Sequence, residues 1–197
     1  MISPSLQIKL RGYAIVDNFF SKEICDQLRD VALSERYVNR YYQNGYKASD
    51  FDTDYSPVKI SHRAICDIKS RTPFLKKYKY LRSWSFVYDN ICPGVNAHAD
   101  TSTYNLNWWA TPDECVYDHS KNGLIIFKKN SYGLTYEQYN GSQDFIDNYL
   151  SESKCVKIPY KFNRAIIFPG RLFHKTDKVH MKPGKENRRI NYTFLFE

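Results

Sequence analysis

The strongest constraint on the fold is a series of short alternating segments that fills the chain from Leu81 to its end. Strands are predicted at residues 81–88, 104–110, 123–128, 155–160, 164–168 and 188–196, and a further strand or turn begins at residues 171–174. Alternation places successive side chains on opposite faces of a sheet, so each strand can bury one face. Many short strands of fairly even spacing are typical of a β-sandwich or a jelly roll.

Helices are predicted ahead of these strands. Residues 12–20 are expected to form a strand that ends in a turn, and Ser21 is a suitable N-cap for a helix at residues 22–33. A short helix is expected at residues 73–80. Residues 37–61 are polar and rich in Tyr and Asp, which predicts a long loop that could close over a substrate as a lid. The expected class is mainly β (α+β), a jelly roll braced by N-terminal helices.

The length of 197 residues suits a single domain, and neither a repeat nor a linker divides it. We expect residues 1–80 to supply helical support and the lid loop. Residues 81–197 are expected to form the β core, with an insertion at about residues 132–153. The five cysteines are scattered and form no CxxC pair, so reduced thiols and a cytoplasmic location are expected. The sequence shows neither a signal-peptide pattern nor an apolar run of bilayer length, so no membrane association is expected.

The chain is basic, with a net charge of +8. Such a balance can attract nucleic acid or an acidic substrate. Because the basic residues are spread along the chain, a solvated basic surface is the simpler explanation. Nucleic acid is therefore not the expected partner, although the charge mildly favours an acidic substrate.

Three residues have the chemistry and the spacing of a metal site. His98 and Asp100 follow the Pro93-Gly94 loop, and residues two apart in an extended segment point the same way. His174 ends a mostly apolar run that a sandwich can bring beside them. Two imidazoles and one carboxylate can occupy one face of iron(II) and leave the opposite face open. The alternatives are a solvated polar pair and a buried structural histidine.

The last predicted strand carries polar residues on a face that should be buried. Arg189, Asn191 and Thr193 share this face, and the opposite face is apolar. Burying an arginine is costly unless it meets an anion, and a guanidinium binds a carboxylate through two parallel hydrogen bonds. Arg189 is therefore interpreted as an anion anchor. Its neighbour Arg188 leaves a one-residue ambiguity, and an edge-strand arginine in water is the alternative.

Another predicted strand, residues 104–110, has a similar polar face. Asn105 and Asn107 lie on the side of Trp109, opposite Leu106 and Trp108. Amides that point into a barrel need hydrogen-bond partners, which a ligand carboxylate, ordered water or other protein groups can supply.

These residues resemble a known family, the iron(II)- and 2-oxoglutarate-dependent oxygenases, specifically the prolyl-4-hydroxylase-like branch. Tyr88, the Pro93-Gly94 loop and the His98-Ala99-Asp100 triplet resemble the Tyr-Pro-Gly loop that leads to the HxD motif of this branch. Residues 164–174 resemble its strand that leads to the distal histidine, and residues 189–193 resemble its closing strand. The resemblance extends from about residue 12 to residue 196.

The resemblance implies a double-stranded β-helix (jelly roll) with a metal near one open end. It implies that three residues bind Fe(II): His98, Asp100 and His174. It also implies that the co-substrate 2-oxoglutarate is held by Arg189 and Tyr88, and strand parity adds Asn107 and Thr193 as candidates.

The activity implied is that of a 2-oxoglutarate-dependent dioxygenase. Such a hydroxylase uses O2 to oxidise a substrate C–H bond while 2-oxoglutarate is decarboxylated to succinate. The primary substrate is left open between a peptidyl proline and a small molecule. One alternative is a cupin-like metalloprotein that does not use 2-oxoglutarate, in which Arg189 would have no dicarboxylate partner. The other is a non-catalytic jelly roll that binds nucleic acid or sugar, which the charge and the 17 tyrosines favour.

Overall fold

A computed structural model describes residues 2–34, 41–50 and 58–197 of the chain. Its α-helices are α1 (Pro4–Arg11), α2 (Lys22–Leu33), α3 (Val58–Arg71) and α4 (Gln143–Leu150). Its strands are β1 (Ala14–Val16), β2 (Tyr41–Gln43), β3 (Tyr46–Asp50), β4 (Tyr80–Tyr88), β5 (Ile91–Cys92), β6 (Tyr104–Trp109), β7 (Leu124–Asn130), β8 (Cys155–Ile158), β9 (Ala165–Pro169), β10 (Leu172–Thr176), β11 (Val179–His180) and β12 (Ile190–Phe196). Short 3-10 turns lie at Pro73–Lys77, Asp113–Cys115 and Lys185–Asn187, and a π-helical turn lies at Glu137–Gly141.

The strands form two layers of antiparallel sheet. The larger sheet has seven strands in the order β1-β9-β6-β12-β4-β3-β2, and the second layer contains the sheets β10-β7-β8 and β11-β5. A buried apolar cluster joins Trp109, Ile166 and Phe168 of the larger sheet to Leu124 and Ile126 of β7. This sandwich of short antiparallel strands is the jelly roll that the alternating segments predict.

The N-terminal helices cover the outer face of the larger sheet. Ile24 and Leu28 of α2 are buried in one cluster with Trp108 of β6 and Phe194 of β12. The hydroxyl of Tyr192 donates a hydrogen bond of 2.7 Å to the carbonyl of Leu28, which ties α2 to β12. The predicted bracing by N-terminal helices is therefore confirmed. The apolar face of β12 meets the helices, and its polar face points into the barrel.

Local predictions for the N-terminal region were partly correct. Helix α2 has the predicted bounds, with the Ser21 hydroxyl accepting from the backbone amide of Ile24. Helices α1 and α3 were not predicted, although α1 has strong end signals: Ser3 at its N-cap, Pro4 in its first turn and Gly12 at its C-cap with φ 87°.

The predicted loop at residues 37–61 is wrong where the structure describes it. Residues 41–50 form the hairpin β2–β3, and α3 begins at Val58. Asn44 and Gly45 occupy the turn with φ of 49° and 82°, the left-handed conformation that an Asn-Gly hairpin requires. The remainder of the predicted loop, residues 35–40 and 51–57, lies outside the described residues.

The segment between β7 and β8 contains the π-helical turn and α4. Its buried side chains Tyr139 and Ile146 pack against Ala97, Ala99 and Phe173, which flank the predicted metal ligands. The backbone amide of Ala99 also donates to the carbonyl of Tyr139 at 3.0 Å. This segment therefore supports the backbone that carries His98 and Asp100.

Within the described ranges, none of the helices has the length and apolar character needed to cross a bilayer.

Candidate metal centre

The structure brings the three predicted metal ligands together. One ligand atom each from His98, Asp100 and His174 lies within 4.8 Å of the other two. The two imidazole rings lie 4.4 Å apart between centroids, and the Nε2 of His174 lies 3.7 Å from a carboxylate oxygen of Asp100. An isolated antiparallel bridge sets this distance, because the backbone amides of the two histidines donate to each other's carbonyls at 3.0 and 2.9 Å. Side chains from two distant parts of the sequence, the His98–Asp100 triplet and His174, thus converge on one point.

Each imidazole is oriented by a backbone carbonyl two residues before it. The Nδ1 of His98 lies 2.8 Å from the carbonyl of Asn96, and the Nδ1 of His174 lies 3.0 Å from the carbonyl of Leu172. A hydrogen bond at Nδ1 fixes the tautomer and leaves Nε2 with its lone pair free for a metal. Burial, with His98 nearby, lowers the pKa of His174 to about 4, so this imidazole is held neutral. Both rings are thus prepared as ligands.

The carboxylate of Asp100 is held by an amide that the larger sheet supplies. The Nδ2 of Asn105 donates to a carboxylate oxygen of Asp100 at 2.5 Å, and the hydroxyl of Ser102 donates to the Oδ1 of Asn105. The backbone amide of Asp100 donates to the carbonyl of Gly170 at 2.8 Å. A Cβ on Gly170 would lie 2.6 Å from the carbonyl oxygen of Ser102, so this close approach requires glycine. Asn105, fully buried, is one of the two inward amides that strand parity indicates.

Arg189 is buried at the far end of the same space, with 1% of its surface exposed. Its guanidinium lies 4.6 Å from the ring centroid of Tyr88, 5.5 Å from that of Trp109 and 5.8 Å from that of Tyr160. Its Nε donates to the carbonyl of Asn122 at 2.8 Å, which fixes the direction of the side chain. Its Nη1 is buried and has no hydrogen-bond partner among the described residues. A buried guanidinium nitrogen without a partner is costly, and an anion would satisfy it.

The neighbouring Arg188 lies in a different environment. Its side chain is 29% exposed, and its Nη2 lies 3.6 Å from a carboxylate oxygen of Asp89. Arg188 therefore has an acidic partner near the surface, whereas Arg189 faces the interior, as parity with Asn191 and Thr193 predicts.

The remaining predicted residues line the space between the triad and Arg189. The hydroxyls of Tyr88 and Thr176 form a hydrogen bond of 3.0 Å, and burial raises the pKa of Tyr88, so its hydroxyl stays protonated. Asn191 donates to the hydroxyl of Thr193, which in turn donates to the Oδ1 of Asn107, both at 3.0 Å. This chain of hydrogen bonds commits the Oδ1 of Asn107 as an acceptor, which orients its amide group.

All seven predicted site residues line one inner cavity of about 20 Å³. A second, outer cavity of about 600 Å³ shares Trp84, Phe86 and Val95 with it, together with two of the triad residues. Thr176 and the rings of Trp109 and Tyr160 were missed as site residues. The pattern around these residues predicts that they are buried in a sheet. It does not indicate that they lie near the guanidinium of Arg189.

Comparisons with known proteins support the fold. No family model matches the chain, and no curated protein matches it. Among solved structures, the α-ketoglutarate-dependent epimerase SnoN of nogalamycin biosynthesis aligns with a TM-score of 0.69 and 11% identity, covering 98% of this chain and 81% of that chain. HygX from Streptomyces hygroscopicus aligns with a TM-score of 0.66 and 8% identity, covering 98% and 85%. A prolyl hydroxylase from Trichoplax adhaerens aligns with a TM-score of 0.53 and 14% identity, covering 98% and 87%.

At these identities the likeness is one of fold, and it extends over nearly the whole chain. SnoN was crystallised with Fe3+ and α-ketoglutarate, and HygX with nickel and 2-oxoglutarate. The chain therefore has the double-stranded β-helix fold of the iron(II)- and 2-oxoglutarate-dependent oxygenases, with a His-Asp-His triad in the barrel.

Proposed function

We propose that the protein is an iron(II)- and 2-oxoglutarate-dependent oxygenase that hydroxylates a C–H bond of its substrate. One observation carries the proposal: a buried guanidinium with an unsatisfied nitrogen shares an inner cavity with a His-Asp-His triad. A cupin-like metalloprotein without 2-oxoglutarate would leave Arg189 without an anion. A non-catalytic jelly roll would leave the convergence of the triad unexplained.

The donor set fits iron(II). Two imidazole nitrogens and one carboxylate oxygen form the facial set of non-heme iron oxygenases and leave coordination positions open. The carbonyls that hold each Nδ1 supply the outer-shell contacts that usually accompany histidine ligands. We propose His98, Asp100 and His174 as the residues that hold the ion.

The inner cavity fits a diacid by charge and by hydrogen bonding. Arg189 would bind the far carboxylate of 2-oxoglutarate, and the protonated hydroxyl of Tyr88 would donate to it. Asn107 and Thr193 would contact the remainder of the molecule from the neighbouring strands. The cavity has room for about one water molecule in the present conformation, so the diacid would have to displace side chains that line it.

Once bound, iron(II), 2-oxoglutarate and O2 supply the oxidation of a C–H bond, with succinate and CO2 as the other products. The chain's own residues would hold the metal ion through the triad, orient the diacid through Arg189 and keep water out of the site. The rings of Tyr88, Trp109 and Tyr160 exclude water from the guanidinium, which strengthens its interaction with a carboxylate.

The proposal extends to the domain organisation, the cellular location and the substrate. We propose one domain over residues 1–197, in which residues 1–80 support the core formed by residues 81–197 and an insertion lies at about 132–153. We also propose a cytoplasmic location, which the five unpaired cysteines support. The primary substrate would be a small molecule or a peptide: HygX was crystallised with hygromycin B and the Trichoplax enzyme with a peptide fragment.

The test combines a spectrum with an assay of turnover. Anaerobic addition of 2-oxoglutarate to the Fe(II)-loaded chain should produce a visible metal-to-ligand charge-transfer band, and O2 should then yield succinate. His98→Ala and Asp100→Ala should abolish both signals, because each removes a ligand. His119→Ala is the matched control, since His119 is exposed and outside the triad, and it should keep both signals.

Turnover retained in either triad variant, with iron and 2-oxoglutarate supplied, would refute the metal assignment. Absence of the charge-transfer band in the wild-type chain, with iron bound, would favour a cupin-like protein that does not use 2-oxoglutarate.

A further inference from the structure

The outer cavity opens directly onto the triad and has the size of a small-molecule site. His98 and Asp100 line both cavities, so a molecule in the outer cavity would present its bonds to the metal position. Its volume of about 600 Å³ lies within the range of pockets that enclose small ligands, about 300–1,000 Å³. The chemistry of its lining therefore reports on the primary substrate.

Aromatic rings from two separate parts of the chain line this cavity. Tyr46 and Phe86 of the larger sheet contact each other edge-to-face at 5.6 Å, with Trp84 beside Phe86 at 6.3 Å. Tyr136 and Tyr139 of the segment between β7 and β8 contact each other edge-to-face at 5.5 Å. Exposed ring faces provide flat, weakly polar platforms for the C–H face of a ligand ring. Tyr136 is 65% exposed, whereas Tyr46 and Tyr139 are buried, so Tyr136 offers the most open ring of this set.

Side-chain amides are the most frequent polar groups in the same lining. Five are present: Gln43, Asn44, Asn96, Asn140 and Gln143. Gln143 donates to Asp147 at 2.8 Å, whereas the side chains of the other four have no hydrogen-bond partner within the described ranges. An amide group offers both donors and an acceptor, as a ligand hydroxyl does. Amides without internal partners are thus suited to a ligand rich in hydroxyl groups.

The charges in the lining do not favour an ionic substrate. Among the described lining residues, the cation is Arg82, whose guanidinium lies 3.6 Å from the carboxylate of Asp50 and 4.9 Å from the ring of Trp84. The other carboxylate, Asp100, belongs to the triad. Phosphate and carboxylate groups on a ligand are often bound by Lys or Arg side chains, as in nucleic-acid grooves. Within the described part of the lining, Arg82 therefore already has an acidic partner.

We propose that the outer cavity binds a neutral, hydroxyl-rich ring compound of the sugar or glycoside class as the primary substrate. The role of this compound as substrate rests on the proposed function, whereas its binding rests on the cavity alone. Ring faces on Tyr136 and Trp84 stack on the sugar, and amides at the rim hydrogen-bond its hydroxyls. The ring C–H bonds then face His98 and Asp100.

The binding test uses saturation-transfer NMR on the metal-free, full-length chain. The probes are a panel of methyl glycosides of common hexoses, a blocked proline-containing tripeptide and a ribonucleoside monophosphate, each at millimolar concentration. We expect transfer to ring protons of at least one glycoside and none to the peptide or the nucleotide. Tyr136→Ala should weaken that binding about twofold to tenfold, the value of one aromatic contact. Tyr117→Ala is the matched control, because Tyr117 is also 65% exposed but packs on His180 outside the lining, and it should leave the affinity unchanged.

Absence of transfer to every glycoside, or preferred transfer to the peptide or nucleotide, would overturn the inference. Equal affinity in the wild type and Tyr136→Ala would overturn it as well, because binding would then lie elsewhere. A second readout separates the two proposals: succinate formation with Fe(II), 2-oxoglutarate and O2, measured with and without the bound glycoside. A chain that makes succinate without binding glycosides keeps the proposed function and loses the substrate class. A chain that binds glycosides without making succinate keeps the ligand class of the outer cavity and loses the proposed function.

Discussion

Among single residues, Arg189 has the most specific role in the proposed binding of 2-oxoglutarate. A charge buried among Tyr88, Trp109 and Tyr160 contributes little to folding, since apolar replacements of buried ionic groups are often neutral or stabilising. We expect Arg189→Met to raise the dissociation constant of 2-oxoglutarate at least about a hundredfold, because charge-assisted hydrogen bonds are lost. The free energy of unfolding of the Arg189→Met variant should fall by no more than about 1 kcal/mol, or should rise. Anaerobic titration of the Fe(II) form and urea denaturation measure these two quantities.

Arg188→Met is the control for this prediction. Its guanidinium faces Asp89 near the surface, so the affinity for 2-oxoglutarate should remain unchanged. If Arg188→Met lost affinity and Arg189→Met kept it, the anchor assignment would be wrong by one residue.

A second residue-scale prediction concerns Asn105, which positions Asp100 without facing the metal itself. Its amide holds one carboxylate oxygen, and Ser102 holds the amide in turn. We expect Asn105→Ala to lower the affinity for Fe(II) or Mn(II) about tenfold to a hundredfold, the usual effect of losing an outer-shell contact. Isothermal titration with Mn(II) measures this. An unchanged Mn(II) affinity in a folded Asn105→Ala chain would count against a positioning role.

At the scale of elements, Asp17 and Arg164 join the antiparallel pair β1 and β9. The Nε of Arg164 lies 2.6 Å from one carboxylate oxygen of Asp17, and its Nη2 lies 3.0 Å from the other. This ion pair, with help from Lys161, lowers the pKa of Asp17 to about 2. Because the folded pKa lies below the unfolded one of 3.8, the pair stabilises the fold above about pH 4 and loses that effect as the pH falls to about 2.

Asp17→Asn should therefore reduce the free energy of unfolding by about 1–2 kcal/mol at pH 7, after allowance for solvent screening of a partly exposed pair. The difference from the wild type should shrink as the pH falls below about 4 and disappear only below about pH 2. Urea denaturation at a series of pH values measures it. A difference that persisted at low pH would show that shape, not charge, carries the effect.

Strand parity was the most informative sequence signal at this scale. It placed Asn191 and Thr193 on the inner face of β12, Arg189 on the same side directly before that strand, and Asn107 on the inner face of β6, as found. It worked because a strand with one buried face tolerates no shift of a single residue. The hairpin β2–β3 was missed because its polar, Tyr-rich composition masks the alternation, although Asn44-Gly45 is a hairpin signal. Helix α3 was missed because its first turn lies in the predicted loop, although Ile60, Ala64 and Ile68 recur at helical spacing and are buried.

In the whole molecule, the two layers of sheet bring His98 and His174 together although they are far apart in the sequence. The jelly roll and its bracing helices could be predicted because alternation and capping act locally. The outer cavity could not, because its lining combines β3, β4 and the segment carrying Tyr136 and Tyr139, and no local pattern records that they meet. The sequence therefore predicts the residues of the triad but not the class of substrate.

A crystal structure of the chain with Mn(II) and 2-oxoglutarate, prepared without O2, would show which residues hold the ion and the diacid. We expect the ion to be bound by the Nε2 atoms of His98 and His174 and by Asp100, since both Nδ1 atoms are already committed to carbonyls. The far carboxylate of 2-oxoglutarate should be bound by Arg189. An ion held by other residues, or a diacid bound away from Arg189, would contradict the account.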